Sequence, residues 1–182
     1  MAMTLITNSA DTDSTDLASI VFNSSIDSTY KLYIFKFLDI NPATDATTFR
    51  FQVNATDGAD YNDSNLVTTY WMAEHYEDDS GTPAIIYKTD LDVANATSFQ
   101  PLAQGLGNGA DESCAGTMWL FNPSNTTYMK HFYSVFSNNN YANLMIQSFV
   151  GGYINDATAI DDIQFKMESG NFDGTIKMYG VG

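Results

Sequence analysis

The feature that most constrains this fold is the arrangement of its β-branched and aromatic residues, which cluster in short runs separated by Asn, Asp, Gly, Ser and Pro. Helical periodicity is weak along the chain, so the runs predict strands joined by turns. In the run Ile163–Met167 apolar residues alternate with polar ones, as in a strand with one buried face. Strands are predicted at 19–23, 30–38, 48–53, 67–76, 85–88, 117–121, 129–136, 144–153, 160–167 and 174–179.

The predicted turns contain residues that tolerate a positive φ. They are Asp57-Gly58, Ser80-Gly81, Asn108-Gly109, Ser137 to Asn140 and Asp173-Gly174. This pattern predicts an all-β fold, a two-sheet jelly roll or β-sandwich of about 8–10 antiparallel strands. The 182 residues fit one domain. We predict a jelly-roll domain over 19–182 and an extended N-terminal arm over 1–18, which is rich in Ser, Thr and Asp.

Some predicted strands are apolar on both faces. The run from Tyr30 to Leu38 is the clearest example, and the runs around Trp71 and Trp119 place a bulky group on each face. A strand of this kind requires cover on both sides, and exposed apolar surface is typical of contacts between subunits. A homo-oligomer is therefore predicted, with a trimer favoured.

The charge balance excludes several classes of partner. The chain has 22 Asp and Glu against 7 Lys and Arg, a formal net charge of -15. Nucleic-acid binding requires a basic surface, and an anionic membrane would repel this chain, so neither partner is expected. No apolar run approaches the length of a membrane helix, and the N-terminus lacks the pattern of a secretory signal. A single cysteine, Cys114, excludes an internal disulfide and is interpreted as a buried small side chain.

Two Asp-rich segments carry oxygen ligands of the kind that Ca²⁺ prefers, although neither has the spacing of an EF-hand. Their candidate ligands are Asp11, Asp13, Asp16, Asp57, Asp60 and Asp63. His75 and His131 lack neighbouring Cys or His and do not predict a transition-metal site. No cofactor is expected.

No catalytic motif is present. Glu74 and Glu77 could form a carboxylate pair, but positions three apart on a strand point to opposite faces, which is a poor arrangement for glycoside hydrolysis. The nucleophile elbow, the phosphate loop and the dinucleotide fingerprint are all absent. The sequence therefore predicts a protein that is not an enzyme.

Aromatic residues close to side-chain amides suggest a platform for sugars, because ring faces stack on a sugar while amides bond its hydroxyls. The candidate glycan-binding residues are Trp71, Tyr76, Tyr133, Asn138, Asn139, Asn140 and Tyr141, with 137–141 interpreted as a loop.

The C-terminal run from Ile163 to Gly180 resembles the closing hairpin of small structural proteins of marine tailed bacteriophages, including cyanophage-like environmental phages. The opening residues Leu5 to Asn8 and the segment from Tyr30 to Asp39 resemble the same group. The resemblance implies an oligomeric jelly-roll virion protein, placed on the capsid exterior or in a tail appendage. It implies contacts with other virion proteins, and synthesis in the host cytoplasm followed by incorporation into the extracellular particle.

The sequence thus predicts a non-enzymatic virion structural protein, either a capsid decoration protein or a tail-fibre-like appendage, that acts through assembly contacts. Two alternatives remain open. One is a lectin-like module that recognises host surface glycans as a receptor, and the other is an extracellular filament or adhesin subunit.

Overall fold

The computed structural model describes residues 2–8, 17–55 and 60–182, which form strands and turns without a helix. The strands are β1 (Met3–Asn8), β2 (Ile20–Phe22), β3 (Leu32–Pro42), β4 (Thr47–Ala55), β5 (Leu66–Tyr76), β6 (Ala84–Tyr87), β7 (Ala94–Ala96), β8 (Gln100–Leu106), β9 (Cys114–Phe121), β10 (Lys130–Asn140), β11 (Leu144–Ile154), β12 (Ile160–Met167) and β13 (Phe172–Val181). The predicted all-β class is confirmed. The described residues contain more strands than predicted because β1, β7 and β8 were missed.

The strands form one curled antiparallel sheet with two layers. The larger layer has the order β1-β13-β3-β9-β10-β11-β5, with β6 and β7 both paired to the far side of β5. The smaller layer has the order β8-β4-β12-β2. The bridge between Asn140 of β10 and Leu106 of β8 joins the layers on one side. The result is a sandwich in which the sheet folds back over itself.

A cluster of phenylalanines fills the space between the layers. Phe165 of β12 lies at its centre, with its ring 5.0 to 6.3 Å from five other rings, those of Phe22, Phe35, Phe37, Phe49 and Phe51. Most of these pairs are tilted or edge-to-face, the geometry that aromatic quadrupoles favour. These side chains are buried because alternate residues of each strand point inward. Cys114, predicted to be a buried small side chain, is also in this core.

The last two strands do not form the hairpin that the resemblance implied. β12 pairs with β4 and β2, whereas β13 pairs with β3 and β1, so the chain crosses from the smaller layer to the larger one between them. The crossing is held at its start by an ion pair between Arg50 and Glu168 at 2.6 Å. The closing-hairpin expectation is therefore wrong, because the two strands pair in different layers.

Residues 3–8 of the predicted N-terminal arm form strand β1, which pairs with β13 at the edge of the larger layer. Met3 and Leu5 on this strand are exposed. Leu17 forms an isolated bridge to Phe172 and returns the chain to the sheet. The rest of the arm, residue 1 and residues 9–16, lies outside the described residues.

A buried lysine fixes the start of β10. The Nζ of Lys130 donates to the carbonyl oxygen of Asp156 at 2.7 Å and to that of Thr158. Burial lowers the pKa of this ammonium group. These bonds hold the connection between β11 and β12 against β10, next to the surface described below.

Candidate interaction surface

The outward side of the larger layer, here called the outer face, has no second layer of the described chain over it. Strand alternation and register define it. It consists of every second residue from Lys177 to Val181 in β13, Leu32 to Leu38 in β3, Ala115 to Phe121 in β9, His131 to Asn139 in β10, Met145 to Tyr153 in β11 and Val67 to His75 in β5. Ile85 and Tyr87 of β6 extend it.

None of these outward residues is Asp or Glu, although the chain has 22 carboxylates. The basic side chains on the outer face are two lysines, Lys36 and Lys177, and both histidines of the chain. Carboxylates are found around its margin. Asp79 lies 3.6 Å from the imidazole of His75, and Asp92 accepts a hydrogen bond from the Tyr87 hydroxyl at 2.5 Å. The outer face is thus a non-acidic area on a strongly acidic protein.

Stacked aromatic rings dominate the outer face. Trp119 of β9 and Tyr133 of β10 stack with centroids 4.4 Å apart, and Phe121 lies 5.8 Å from the same tyrosine. A second stack pairs Trp71 of β5 with Phe149 of β11 at 4.0 Å. The rings remain accessible: Tyr133 is 43%, Trp71 39% and Phe121 36% exposed. Both stacks run across strands, because Trp119 is opposite Tyr133 and Trp71 is opposite Phe149 in adjacent strands.

A slot lies beside the first stack, on the β11 side of Tyr133. Gly151 of β11 is directly opposite Tyr133 of β10, and Thr69 of β5 is opposite Gly151 on its other side. A Cβ added at Gly151 would meet nothing within 4 Å. The Gly151 slot is an open groove of about 350 Å³ lined by Val67, Thr69, Phe121, His131, Tyr133 and Tyr153, among others.

The structure divides the predicted glycan-binding residues between separate places. Trp71 and Tyr133 lie exposed on the outer face but on strands separated by β11. Asn139 is outward as well, and its Nδ2 lies 3.5 Å from Oε1 of Glu77. Tyr76 ends β5, and Tyr141 lies exposed in the turn after β10. These side chains do not form the single platform that was predicted.

The interpretation of 137–141 as a loop is wrong. Ser137 to Asn140 continue β10 and pair with β11, and the turn begins only at Tyr141. Asn138 and Asn140 point inward and are buried. The Nδ2 of Asn138 donates to the carbonyl of Gln104, and Oδ1 of Asn140 accepts from the amide of Ala142. Asn138 and Asn140 therefore serve the fold.

The calcium candidates are only partly described. Asp60 and Asp63 are exposed, whereas Asp11, Asp13, Asp16 and Asp57 lie outside the described residues. Within the described ranges no three His, Cys, Asp or Glu side chains are grouped as metal ligands.

The residues considered for catalysis are also separate. Glu74 lies on β5 and Glu77 in the following turn. Cys114 is buried in the core, and burial raises the pKa of its thiol well above the usual range. His75 lies on the outer face near the end of β5, and His131 lies on the same face near the start of β10. The sequence predicted the outer face in part, through the runs that are apolar on both faces. The absence of carboxylates from this face depends on strand order and register, which cannot be seen in the sequence.

Within the part of the chain that the structure describes, no helix has the length and apolar character needed to cross a membrane. Comparisons of the chain with protein families, with curated proteins and with solved structures found no match.

Proposed function

We propose that this protein is a non-enzymatic structural protein of a phage virion, a capsid decoration or tail-appendage subunit that assembles through its outer face. The observation that supports this proposal best is the combination of stacked, exposed rings with the absence of carboxylates on that face. The cores of protein interfaces are depleted in charge and enriched in aromatic residues and Met. Large exposed apolar areas on soluble proteins mark sites of interaction.

The resemblance of Leu5 to Asn8 and of Tyr30 to Asp39 to phage structural proteins supports the placement in a virion, although the run from Ile163 to Gly180 does not form the hairpin that its resemblance implied. The strong negative charge fits an exterior position, because a surface of this sign does not bind packaged DNA. The outer face would contact protein, and the acidic remainder would face solvent.

Immunogold electron microscopy of purified particles of the encoding phage tests the placement. An antibody raised against this chain is expected to label the outside of intact particles at the capsid or the tail. Particles from a phage in which the gene is deleted provide the control. Absence of label on intact and on disrupted particles, with the protein present in the lysate, would contradict the proposal.

The exposure of Trp71 and Tyr133 favours one further candidate, recognition of host surface glycans. In that case a glycan array should show binding that Trp71→Ala or Tyr133→Ala removes. Val21→Ala, which changes an exposed apolar side chain of the smaller layer, should preserve the binding. An array with no binding at millimolar sugar would eliminate this candidate.

A further inference from the structure

The Gly151 slot has the width of one aromatic ring. Adjacent strands lie about 4.8 Å apart, so Tyr133 and Thr69, on either side of β11, are separated by roughly 9 to 10 Å. A ring in van der Waals contact on both faces requires roughly 3.5 Å on each side, about 7 Å in total. Trp119 already stacks on one face of Tyr133 across the strands, and the slot lies on the other side of that ring. A ring in the slot would therefore extend the stack.

The same chain presents a suitable ring. Tyr128 is 72% exposed, the most exposed aromatic residue in the described part of the chain. It lies in the connection between β9 and β10, residues 122–129, which contains no charged residue. Oδ1 of Asn125 accepts hydrogen bonds from the amides of Thr127 and Tyr128, each at 2.7 Å, so the tyrosine is presented by an ordered turn. A preformed turn loses little conformational entropy on binding.

We propose that Tyr128 of a second copy of this chain inserts into the Gly151 slot, and that the outer face is thereby a contact between copies. This inference rests on the proposed assembly role of the outer face. Tyr128 is three residues before His131, which lines the slot. The tyrosine and the Gly151 slot are therefore at the same end of the larger layer. A surface that carries both parts is self-complementary, as association of identical subunits requires.

Charge favours a second copy as the occupant. Each copy carries -15, so acidic surfaces of two copies repel each other. The outer face and the connection 122–129 hold no carboxylate and can approach without placing two carboxylates together. The lining of the slot is mostly apolar, which suits an aromatic side chain better than a sugar, whose hydroxyl groups require polar partners.

Light scattering over 1 to 100 μM protein, at moderate salt, tests the contact with matched variants. Gly151→Val places a branched side chain in the slot, at a position where an added Cβ meets nothing within 4 Å. Tyr128→Ser removes the projecting ring. Ala142→Val adds a similar side chain at an exposed position in the turn after β10, outside the outer face, and Tyr141→Ser removes an exposed tyrosine from the same turn. Circular dichroism and melting curves show whether each variant is folded.

We expect the wild type to have the mass of an oligomer, a whole-number multiple of 20.0 kDa greater than one. Gly151→Val and Tyr128→Ser should each weaken association at least tenfold, and both controls should retain it. An equal mixture of the two disrupting variants should associate better than either alone, because the slot of one accepts the tyrosine of the other. Recovery in the mixture identifies the contact itself, since two unrelated defects would not complement each other.

A wild type that stays at 20.0 kDa at every concentration would overturn the second copy as occupant. Variants that all keep the wild-type mass would place the contact elsewhere, which also overturns the inference. A monomer whose tryptophan fluorescence responds to methyl hexopyranosides, with loss of the response in Gly151→Val, would assign the slot to a sugar instead. A monomer found on labelled virions would contradict this inference alone, whereas an oligomer absent from particles would contradict the virion assignment.

Discussion

Tyr70 shows how the core makes stability depend on pH. Its side chain is fully buried on the inner side of β5, and this burial raises the pKa of Tyr70 to about 12 from the ordinary 10.0. The unfolded chain therefore loses this proton before the folded chain does. The contribution of the Tyr70 hydroxyl to the free energy of unfolding is fully present below pH 10 and is lost as the pH rises toward 12.

Tyr70→Phe should reduce the alkaline loss of stability. Each pKa unit corresponds to about 1.4 kcal/mol, so between pH 9 and pH 11.5 the variant should lose about 2 kcal/mol less free energy of unfolding than the wild type. Urea unfolding at the two pH values measures the difference. Tyr128→Phe, a change at an exposed tyrosine, serves as the control. Equal losses in wild type and Tyr70→Phe would show that the buried hydroxyl does not govern alkaline unfolding.

At the residue scale, sequence reasoning found the exposed rings of the outer face but misjudged the amides beside them. Trp71 and Tyr133 were singled out and are exposed, whereas Asn138 and Asn140 were expected in a loop and are buried. Asn is a frequent turn residue, and three in succession predict a turn. Pairing with β9 and β11 outweighs that preference. The turn instead uses Asn143, which has φ 57°.

At the scale of elements, a bulge between β3 and β13 gives a direct test of backbone strain. The register shifts between Asp173 and Thr175, where Gly174 has φ +119°. A Cβ at Gly174 would lie 2.6 Å from the carbonyl oxygen of Asp39. Glycine is therefore required here for both conformation and space.

Gly174→Ala should destabilise the fold by about 2 kcal/mol or more, because the substitution combines a strained φ with a backbone clash. Gly151→Ala is the matched comparison, since that glycine also lies within a strand but has open space around its Cα. It should be neutral or slightly stabilising, because alanine restricts the unfolded chain. Chemical denaturation of both variants gives the comparison, and similar losses in the two would contradict a special role for the bulge.

The long strands were predictable and the short ones were not. Every predicted strand exists, since each shows a continuous apolar or alternating run. β8 was missed because its sequence contains Pro101 and Gly105, which are poor strand formers. Pro101 is acceptable there because β8 pairs along its length only with β4 and meets β10 at a single bridge. β7 carries little signal of its own and is a strand because it pairs with β5. β1 has the β-branched residues Thr4, Ile6 and Thr7, but it was included in the predicted arm because the residues that follow it are rich in Ser, Thr and Asp.

At the scale of the whole molecule, the sequence predicted two packed sheets but not which strands are neighbours. Strand order depends on contacts between distant residues, such as the pairing of β3 with β9 and of β4 with β12. The runs that are apolar on both faces were the one sequence feature that indicated the outer face, because a second apolar face must be covered by another protein surface. The distribution of charge emerges only from the strand order, which places all outward residues of six strands on one face free of carboxylates.

That distribution predicts an unusual response of self-association to salt. Two copies of net charge -15 repel each other, and salt limits the range of this repulsion to about one Debye length. The Debye length is about 30 Å at 10 mM salt and less than 10 Å at 300 mM. Raising NaCl from 10 to 300 mM should therefore strengthen association through the outer face, by at least about threefold. Sedimentation velocity over a concentration series at both salt levels measures the change. Val135→Glu places a carboxylate on the face and should weaken association most at low salt. Association that weakens as salt is added would instead indicate opposite charges at the contact, and the acidic margin of the outer face rather than its aromatic centre would then be the surface that binds.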